Sequence, residues 1–390
     1  MKNISIYVGS RANYSSAFSI MKAIQKHPEL NLSLVISGAA VLPRFGDIRE
    51  LIKKDGFKAD METNSLIEGE NPTAMSKSIG LGMIDYSNAL EKLEPDCVIA
   101  IGDRFDVLPW VISAAMMNIP IAHTMGGERS GTIDESIRHA ITKFSNIHFP
   151  ANIDSAKRIE RMGEDPKTIF VVGCPRIDFI LNCLDKFSKG KIVPSQKVFE
   201  LYKGVGNKFD LIEESFLLVS FHPVTTEFGS NKKNIKEILE ALNELKINTV
   251  MIWPNADAGS DEISKEIRVF REKYIPNWLH LFVNLPIEIY TQLMYQCKCM
   301  IGNSSSAIRE GETIGVPAVN VGSRQNMRLK GENIIDVEPN KSEIVEAIKR
   351  QIKHGKYPSE NLYGEGGAGK KIATIISKMN IKNTQKINFY

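Results

Sequence analysis

The chain has 390 residues, more than one ordinary core of about 150 residues accommodates and enough for two. With 43% hydrophobic, 24% charged and 8% aromatic residues it has a globular composition, which excludes disordered and fibrous classes. Its 49 Lys and Arg against 46 Asp and Glu leave a net charge of +3 with no long basic run, so no nucleic-acid partner is expected.

Short apolar, β-branched runs alternate with segments of helical period. The first half carries Ile4–Val8, Leu32–Ile36, Cys97–Ile101, Ile119–Ala122 and Ile169–Val172. The second carries Phe216–Phe221, Thr249–Trp253, Leu279–Val283, Cys299–Ile301, Ala318–Val321 and Ile334–Val337. Runs that are apolar on both faces fit parallel strands covered by helices, and their alternation with helices predicts doubly wound α/β sheets. The pattern breaks near residues 185–214, where Lys186, Lys189, Gly190, Lys191, Pro194, Gly204 and Gly206 gather. Two Rossmann-like domains are expected to join there, 1–185 and 186–369, with the last segment, 370–390, packing back on the first.

Cys97, Cys174, Cys183, Cys297 and Cys299 are too sparse for a disulfide framework and point to a reducing, cytoplasmic compartment. Cys297-Lys298-Cys299 lacks zinc-knuckle spacing, so no metal is expected. Arg11 interrupts the apolar start before a signal-peptide core could form. The uncharged window Val107–Gly127 contains Pro109, Asn118, Pro120 and His123 and divides into a helix and a strand, so no membrane segment is expected.

Polar residues cluster just after the apolar runs: Arg11, Asp103 with Arg104, His123, His222, Asn255 with Asp257, Asn303 to Ser306, and Arg324. In open α/β sheets ligands bind outside the carboxyl ends of the strands, so a polar, anionic ligand between the two domains is expected. Gly302-Asn303-Ser304-Ser305-Ser306 leaves a strand and opens a helix, a seat for phosphate made of free amides and hydroxyls, although the same residues suit a plain N-cap. Arg11 and Arg324 could supply charge to a diphosphate. Thr132-Ile133-Asp134-Glu135 reads as a capping box, followed by a core stripe of Ile133, Ile137, Ile141 and Phe144. Asp134 and Arg138, one turn apart, suit an ion pair as well as a site. Carboxylates and histidines gathered near strand tips suit proton abstraction and return, and suit glycosyl transfer equally. Gly364 to Lys371 imitates a P-loop, but Lys371 replaces the Mg²⁺-binding hydroxyl. No Gly-x-Gly-x-x-Gly follows the first strand, so no dinucleotide cofactor is expected.

These residues together resemble the hydrolysing UDP-N-acetylglucosamine 2-epimerases of sialic-acid biosynthesis. The resemblance runs from Gly9-Ser10-Arg11-Ala12 to Tyr363-Gly364-Glu365-Gly366. It rests on Gly102-Asp103-Arg104-Phe105-Asp106, Gly126-Gly127-Glu128, Ser130 to Lys143, Gly173-Cys174-Pro175 with Asp178, His222-Pro223-Val224-Thr225-Thr226, Pro254 to Ser260, Met300 to Ser305, and Arg324-Gln325. It implies a glycosyltransferase-B fold with the site in an interdomain cleft, no cofactor, and a homodimer or homotetramer. It also implies anti elimination of UDP across C1–C2 of UDP-GlcNAc, then hydration to N-acetylmannosamine.

Acid/base work carries over to Asp103, Asp134 and Asp178. Ligand contacts carry over to Arg11, His222, Ser304, Ser305, Glu310 and Arg324, with Ser15, Arg104 and Arg138 beside them and Asn255 and Asp257 toward the sugar. Two positions depart from the related pattern. Met125 stands where an ionisable residue, commonly Glu, is usual, which leaves Glu128 or His123 to move that proton; Asn13 replaces an Asp or Glu. The alternatives are a UDP-2,4-diacetamido-2,4,6-trideoxy sugar of the legionaminic-acid route as substrate, a non-hydrolysing epimerase, an inactive nucleotide-sugar sensor, and a glycosyltransferase.

Overall fold

A computed structural model describes residues 1–43, 47–202, 204–255, 257–380 and 385–389. The chain divides into two compact units, one of Met1–Arg129, Ile133–Phe179 and Tyr363–Tyr390, the other of Ser130–Thr132 and Ile180–Leu362. The division falls inside the helix Pro175–Ser188, ahead of the Lys- and Gly-rich stretch. The returning segment begins at Tyr363 rather than 370, because the Tyr363 carbonyl already accepts from the Cys174 amide at 2.7 Å. Residues 381–384 and 390 of that segment lie outside the described residues.

The first unit is built on a parallel sheet of β1 (Lys2–Val8), β2 (Leu30–Ile36), β3 (Met61–Glu62), β4 (Cys97–Ile101), β5 (Ile121–Thr124) and β6 (Ile147–Phe149), ordered β3-β2-β1-β4-β5-β6. β1 and β2 pair without a break from Lys2↔Leu30 to Val8↔Ile36, and every residue of β4 is buried, as a strand between two helical layers must be. Tyr7, Tyr86, Val98, Ala100, Trp110, Ile121 and Ile141 meet in one core. β5 starts two residues later than the apolar run Ile119–Ala122, since Pro120 has no amide to give the ladder. The run Ile169–Val172 is not a strand: only Ile169 bridges to His148, and the three-residue β6, too short to stand out in the sequence, holds the edge.

The second unit carries β7 (Gly204–Gly206), β8 (Leu217–Ser220), β9 (Thr249–Ile252), β10 (Leu279–Phe282), β11 (Cys299–Gly302), β12 (Ala318–Val321) and β13 (Ile334–Val337). Their order is β13-β12-β11-β8-β9-β10-β7. β8 to β13 are parallel and repeat the strand order of the first unit, while β7 runs antiparallel to β10. The period of two along the strands sends Leu217, Val219, Met251, Leu281 and Ile301 to one core and Phe216, Leu218, Val250, Phe282 and Met300 to the other. Residues 185–214, where the apolar pattern breaks, supply the helix Ser195–Leu201 and β7. The glycines that broke the apolar pattern permit this edge pairing: Gly206 has φ +129°, and a Cβ there would collide with the Leu279 carbonyl. All five cysteines are buried, and among the described residues none is in a disulfide.

Candidate active site

Both sheets reverse their strand order between the first and fourth parallel strands, the place where open α/β sheets bind ligands. In the first unit that place lies between β1 and β4. Ser10 caps the helix Arg11–Gln25 by accepting from the Asn13 amide, which sets the partly buried Arg11 on the first turn and the buried Ser15 just behind it. The Ser15 hydroxyl donates to the Ala12 carbonyl at 2.8 Å. Asn13 ties the two strand ends together: its Oδ1 accepts from the Gly9 amide at 3.3 Å and its Nδ2 donates to the Ile101 carbonyl at 2.9 Å. A carboxylate could accept the first bond but not donate the second, which accounts for an amide here.

Asp103 follows the end of β4 and is gripped by Arg138 from the helix Asp134–Phe144. The fully buried guanidinium donates through Nε to Asp103 Oδ2 at 2.8 Å and through Nη2 to the same oxygen. Its Nη1 donates to the Glu128 carbonyl at 2.7 Å and to Glu135 Oε2 at 2.8 Å. Burial disfavours this cation, but Asp103, Glu128 and Glu135 outweigh it and raise the Arg138 pKa further. Glu135 also meets His139 Nε2 at 3.0 Å. The helix starts at Asp134, and Ile133 before it caps with no side chain; Ile133, 40% exposed, leaves the core stripe to Ile137, Ile141 and Phe144.

Arg104 pairs with Asp106 at 3.2 Å, and Asp106 accepts from the Tyr7 hydroxyl at 3.3 Å. Behind Tyr7 a buried chain of hydroxyls continues through Tyr86 at 3.0 Å, Ser65 at 2.6 Å and Ser37 at 2.9 Å. Burial, then the charge of Asp106, pushes the Tyr7 hydroxyl far above its ordinary range, so it stays a donor. Gly9 admits the arrangement, because any Cβ there would strike Asp106 and the Tyr7 hydroxyl.

His123 is fully buried at the end of β5. Its Nε2 lies 3.0 Å from the Gly102 carbonyl, which can only accept, so Nδ1 at 3.2 Å from Thr142 Oγ1 is the acceptor of the neutral ring. Burial lowers its pKa to about 3, so it braces the turn before Asp103 as an uncharged strut. Met125 is 3% exposed with φ +60°, and Cys174 Sγ lies 3.6 Å from its sulfur. Glu128 is buried. Asp178 is committed elsewhere: its two oxygens accept from the amides of Ala368 at 3.0 Å and Gly369 at 2.8 Å, the first turn of the helix Ala368–Lys378.

In the second unit the reversal lies between β8 and β11. Asn303, wholly buried, accepts from the His222 amide at 2.7 Å and donates to the His222 carbonyl at 2.8 Å, locking one strand end to the other. Its own carbonyl receives Arg324 Nη1 at 3.1 Å and Gln325 Nε2 at 2.8 Å. His222 Nδ1 accepts from the Asn255 amide at 3.2 Å, which leaves Nε2 to donate to Ser220 Oγ at 3.2 Å. Asp257 is buried close by in sequence; Ala256 between them lies outside the described residues. Ser304 is the N-cap of a single turn, Ser305–Ile308, and a second short helix, Glu310–Ile314, starts at the buried Glu310. The helix expected after the serines is thus broken at Arg309.

The first unit therefore brings Asp103, Arg138 and the Glu128 backbone together, and the second brings His222, Asn255 and Arg324 around Asn303. Three residues gain contacts that sequence reasoning did not give them: Asn303, read as part of a phosphate seat or a cap, Glu135, read as part of a capping box, and Asp106, present in a matching block without an assigned role. Among the described residues no three His, Cys, Asp or Glu side chains gather as a metal site, and no helix is long and apolar enough to cross a membrane.

A family model described as UDP-N-acetylglucosamine 2-epimerase matches residues 22–377, nearly the whole chain. The chain belongs to this epimerase family. It is 30% identical over 381 residues to the UDP-N,N'-diacetylbacillosamine 2-epimerase (hydrolyzing) of Legionella pneumophila, covering 95% of this chain and 94% of that one. It is 34% identical over 345 residues to the GDP/UDP-N,N'-diacetylbacillosamine 2-epimerase (hydrolyzing) of Campylobacter jejuni, covering 87% and 85%. Its fold is that of the crystal structure of the Neisseria meningitidis UDP-GlcNAc 2-epimerase bound to UDP-GlcNAc, with a TM-score of 0.79 at 18% identity over 97% of this chain and 100% of that one. The expected fold class, two doubly wound Rossmann-like domains of the glycosyltransferase-B type, is the fold of this epimerase.

Proposed function

We propose that this epimerase is of the hydrolysing type and acts on a UDP-2-acetamido sugar, UDP-GlcNAc in the first reading, releasing UDP and the 2-acetamido-mannose-type sugar used in nonulosonic-acid synthesis. The observation that carries the reading is Asp103 held by the fully buried Arg138, with Glu128 buried beside them. Elimination breaks C2–H and C1–O, so it needs a base at C2 and charge stabilisation at the departing diphosphate; hydration of the resulting 2-acetamidoglucal places hydroxyl on C1 and a proton on the opposite face of C2. Asp103, held by the guanidinium, is assigned to proton transfer with Asp134 and Glu128. A thioether cannot carry a proton, so Glu128 takes the duty that Met125 cannot. His123 and Asp178 support the site as strut and helix cap.

In the second unit His222, Ser304, Ser305 and Arg324 are assigned to the diphosphate, Glu310 to the ribose hydroxyls, and Asn255 and Asp257 to the sugar. Arg11, Ser15 and Arg104 are assigned to the phosphate side from the first unit. A second reading, a UDP-2,4-diacetamido-2,4,6-trideoxy sugar as substrate, is favoured by the names of both hydrolysing relatives.

The test is a proton NMR time course with each UDP-sugar in D2O. Free sugar of the manno configuration with deuterium at C2 and equimolar UDP is expected, and the faster substrate decides between the readings. A UDP-manno sugar without free UDP would make the enzyme non-hydrolysing. UDP binding without turnover of either substrate would make it a sensor.

A further inference from the structure

The segment 385–389 lies against the far end of the helix Asp134–Phe144, whose first half carries Asp134 and Arg138. The last turn of a helix leaves its carbonyls without amide partners, and a cation is favoured there. Lys386 supplies both a donor and a charge: its Nζ donates to the Lys143 carbonyl at 2.7 Å and to the Thr142 carbonyl at 3.4 Å. The same ammonium pairs with Glu164 Oε2 at 2.6 Å. Glu164, 2% exposed, also meets Lys143 Nζ at 2.7 Å and His148 Nε2 at 3.1 Å. Burial works against the Glu164 charge, but hydrogen bonds from His148, Lys143 and Lys386 outweigh it and bring its pKa down to about 2. Lys143 Nζ reaches on to Asn388 Oδ1 at 2.9 Å, and the Phe389 amide donates to the Gly163 carbonyl at 2.9 Å, so the segment is fastened on both sides of Glu164.

We propose that Lys386, anchored by Glu164, is a positioning residue for the pair Asp103 and Arg138. Two routes lead from Lys386 to that pair. Along the helix, Thr142 and Lys143 lie one turn beyond Arg138, so a fixed helix end sets how far the guanidinium reaches toward Asp103. Across the sheet, the Thr142 hydroxyl donates to His123 Nδ1 at 3.2 Å, and His123 Nε2 donates at 3.0 Å to the carbonyl of Gly102, the residue before Asp103. Both partners of the contact therefore depend on the one helix end that Lys386 holds. A displacement of about 1 Å costs about a hundredfold in rate, so a helix end slackened by half as much costs about tenfold. The inference rests on the assignment of Asp103 to proton transfer.

The test uses the full chain with Lys386→Met and the conservative Lys386→Arg, read by NMR turnover, by calorimetry with UDP and by hydrogen exchange of residues 134–144. Lys386→Met is expected to lower kcat about tenfold with UDP affinity within about threefold, because the residues it positions move protons. The isotope effect on kcat from a C2-deuterated UDP-sugar should rise, since proton transfer then limits turnover more fully; a merely destabilised protein shows no such rise. The helix amides should exchange about tenfold faster, and Lys386→Arg should keep at least about a third of the wild-type rate. An unchanged kcat, an unchanged isotope effect, or an equal loss in Lys386→Arg overturns the positioning role. A wild type that turns over neither sugar refutes the proposed function instead; unchanged helix exchange in Lys386→Met then still overturns the hold of Lys386 on the helix.

Discussion

Replacing His123 with Gln tests the buried strut beneath Asp103. The imidazole has an ordinary pKa of 6.5 and falls to about 3 in the fold because burial penalises its charged form. Between those two values the unfolded chain carries a proton that the folded chain does not, so stability rises with pH across the window and is lost as pH falls from 6.5 toward 3. The difference amounts to about 5 kcal/mol over the whole window and about 2 kcal/mol between pH 6.5 and 5. Urea unfolding at pH 7.5, 6.5, 5.5 and 5 reads it directly. His123→Gln should be less stable at pH 7.5 by about 1–2 kcal/mol, since the Gly102 carbonyl and Thr142 lose a well-placed partner. Its stability should then fall less steeply below pH 6.5, by up to about 1.4 kcal/mol per pH unit. His148, also depressed by burial, contributes to both proteins. Equal slopes in wild type and variant would refute the assignment of a neutral, buried His123 and return it to the proton carriers.

Asp103→Asn should abolish elimination while leaving UDP affinity within a few-fold, measured by NMR turnover and calorimetry, because it removes a proton carrier and little volume. Arg138→Lys should cost at least about a hundredfold in kcat, since an ammonium cannot reach Asp103, Glu135 and the Glu128 carbonyl together; a rate within threefold of wild type would show the fork to be dispensable. Asp178→Ala should lower stability by about 1–2 kcal/mol through loss of its two amide bonds, with kcat nearly unchanged at a temperature where the variant is folded. A lost rate at unchanged stability would move Asp178 into the chemistry. Asn303→Asp should weaken UDP binding and lower the Tm together, because a carboxylate would face the His222 carbonyl that the amide now donates to. Unchanged UDP affinity would separate the clamp from the ligand seat.

The strand set of both sheets was legible because a parallel strand buried on both faces must be written as an unbroken apolar run, and Ile4–Val8, Cys97–Ile101 and Phe216–Phe221 are such runs. β3, β6 and β7 were not, since two or three residues carry no period and Gly204-Val205-Gly206 reads as a break. The matching blocks located the residues of the site but could not say which carboxylates face which cations. That depends on segments far apart in sequence. Asp103 meets Arg138 across 35 positions, and Asp178 meets the amides of the last helix across 190. His123 looked like a proton carrier from its neighbours in the chain; only the fold decided its charge, by burying it and giving both nitrogens partners. Asn303 belonged to a phosphate seat or a helix cap in one dimension and became a clamp once β8 and β11 lay side by side. Sequence by itself determined the longer elements and the family, because local periodicity and ordered motifs are properties of the chain. Tertiary structure alone decided hydrogen-bond partners and protonation, because desolvation and charge proximity exist only after the strands are brought together.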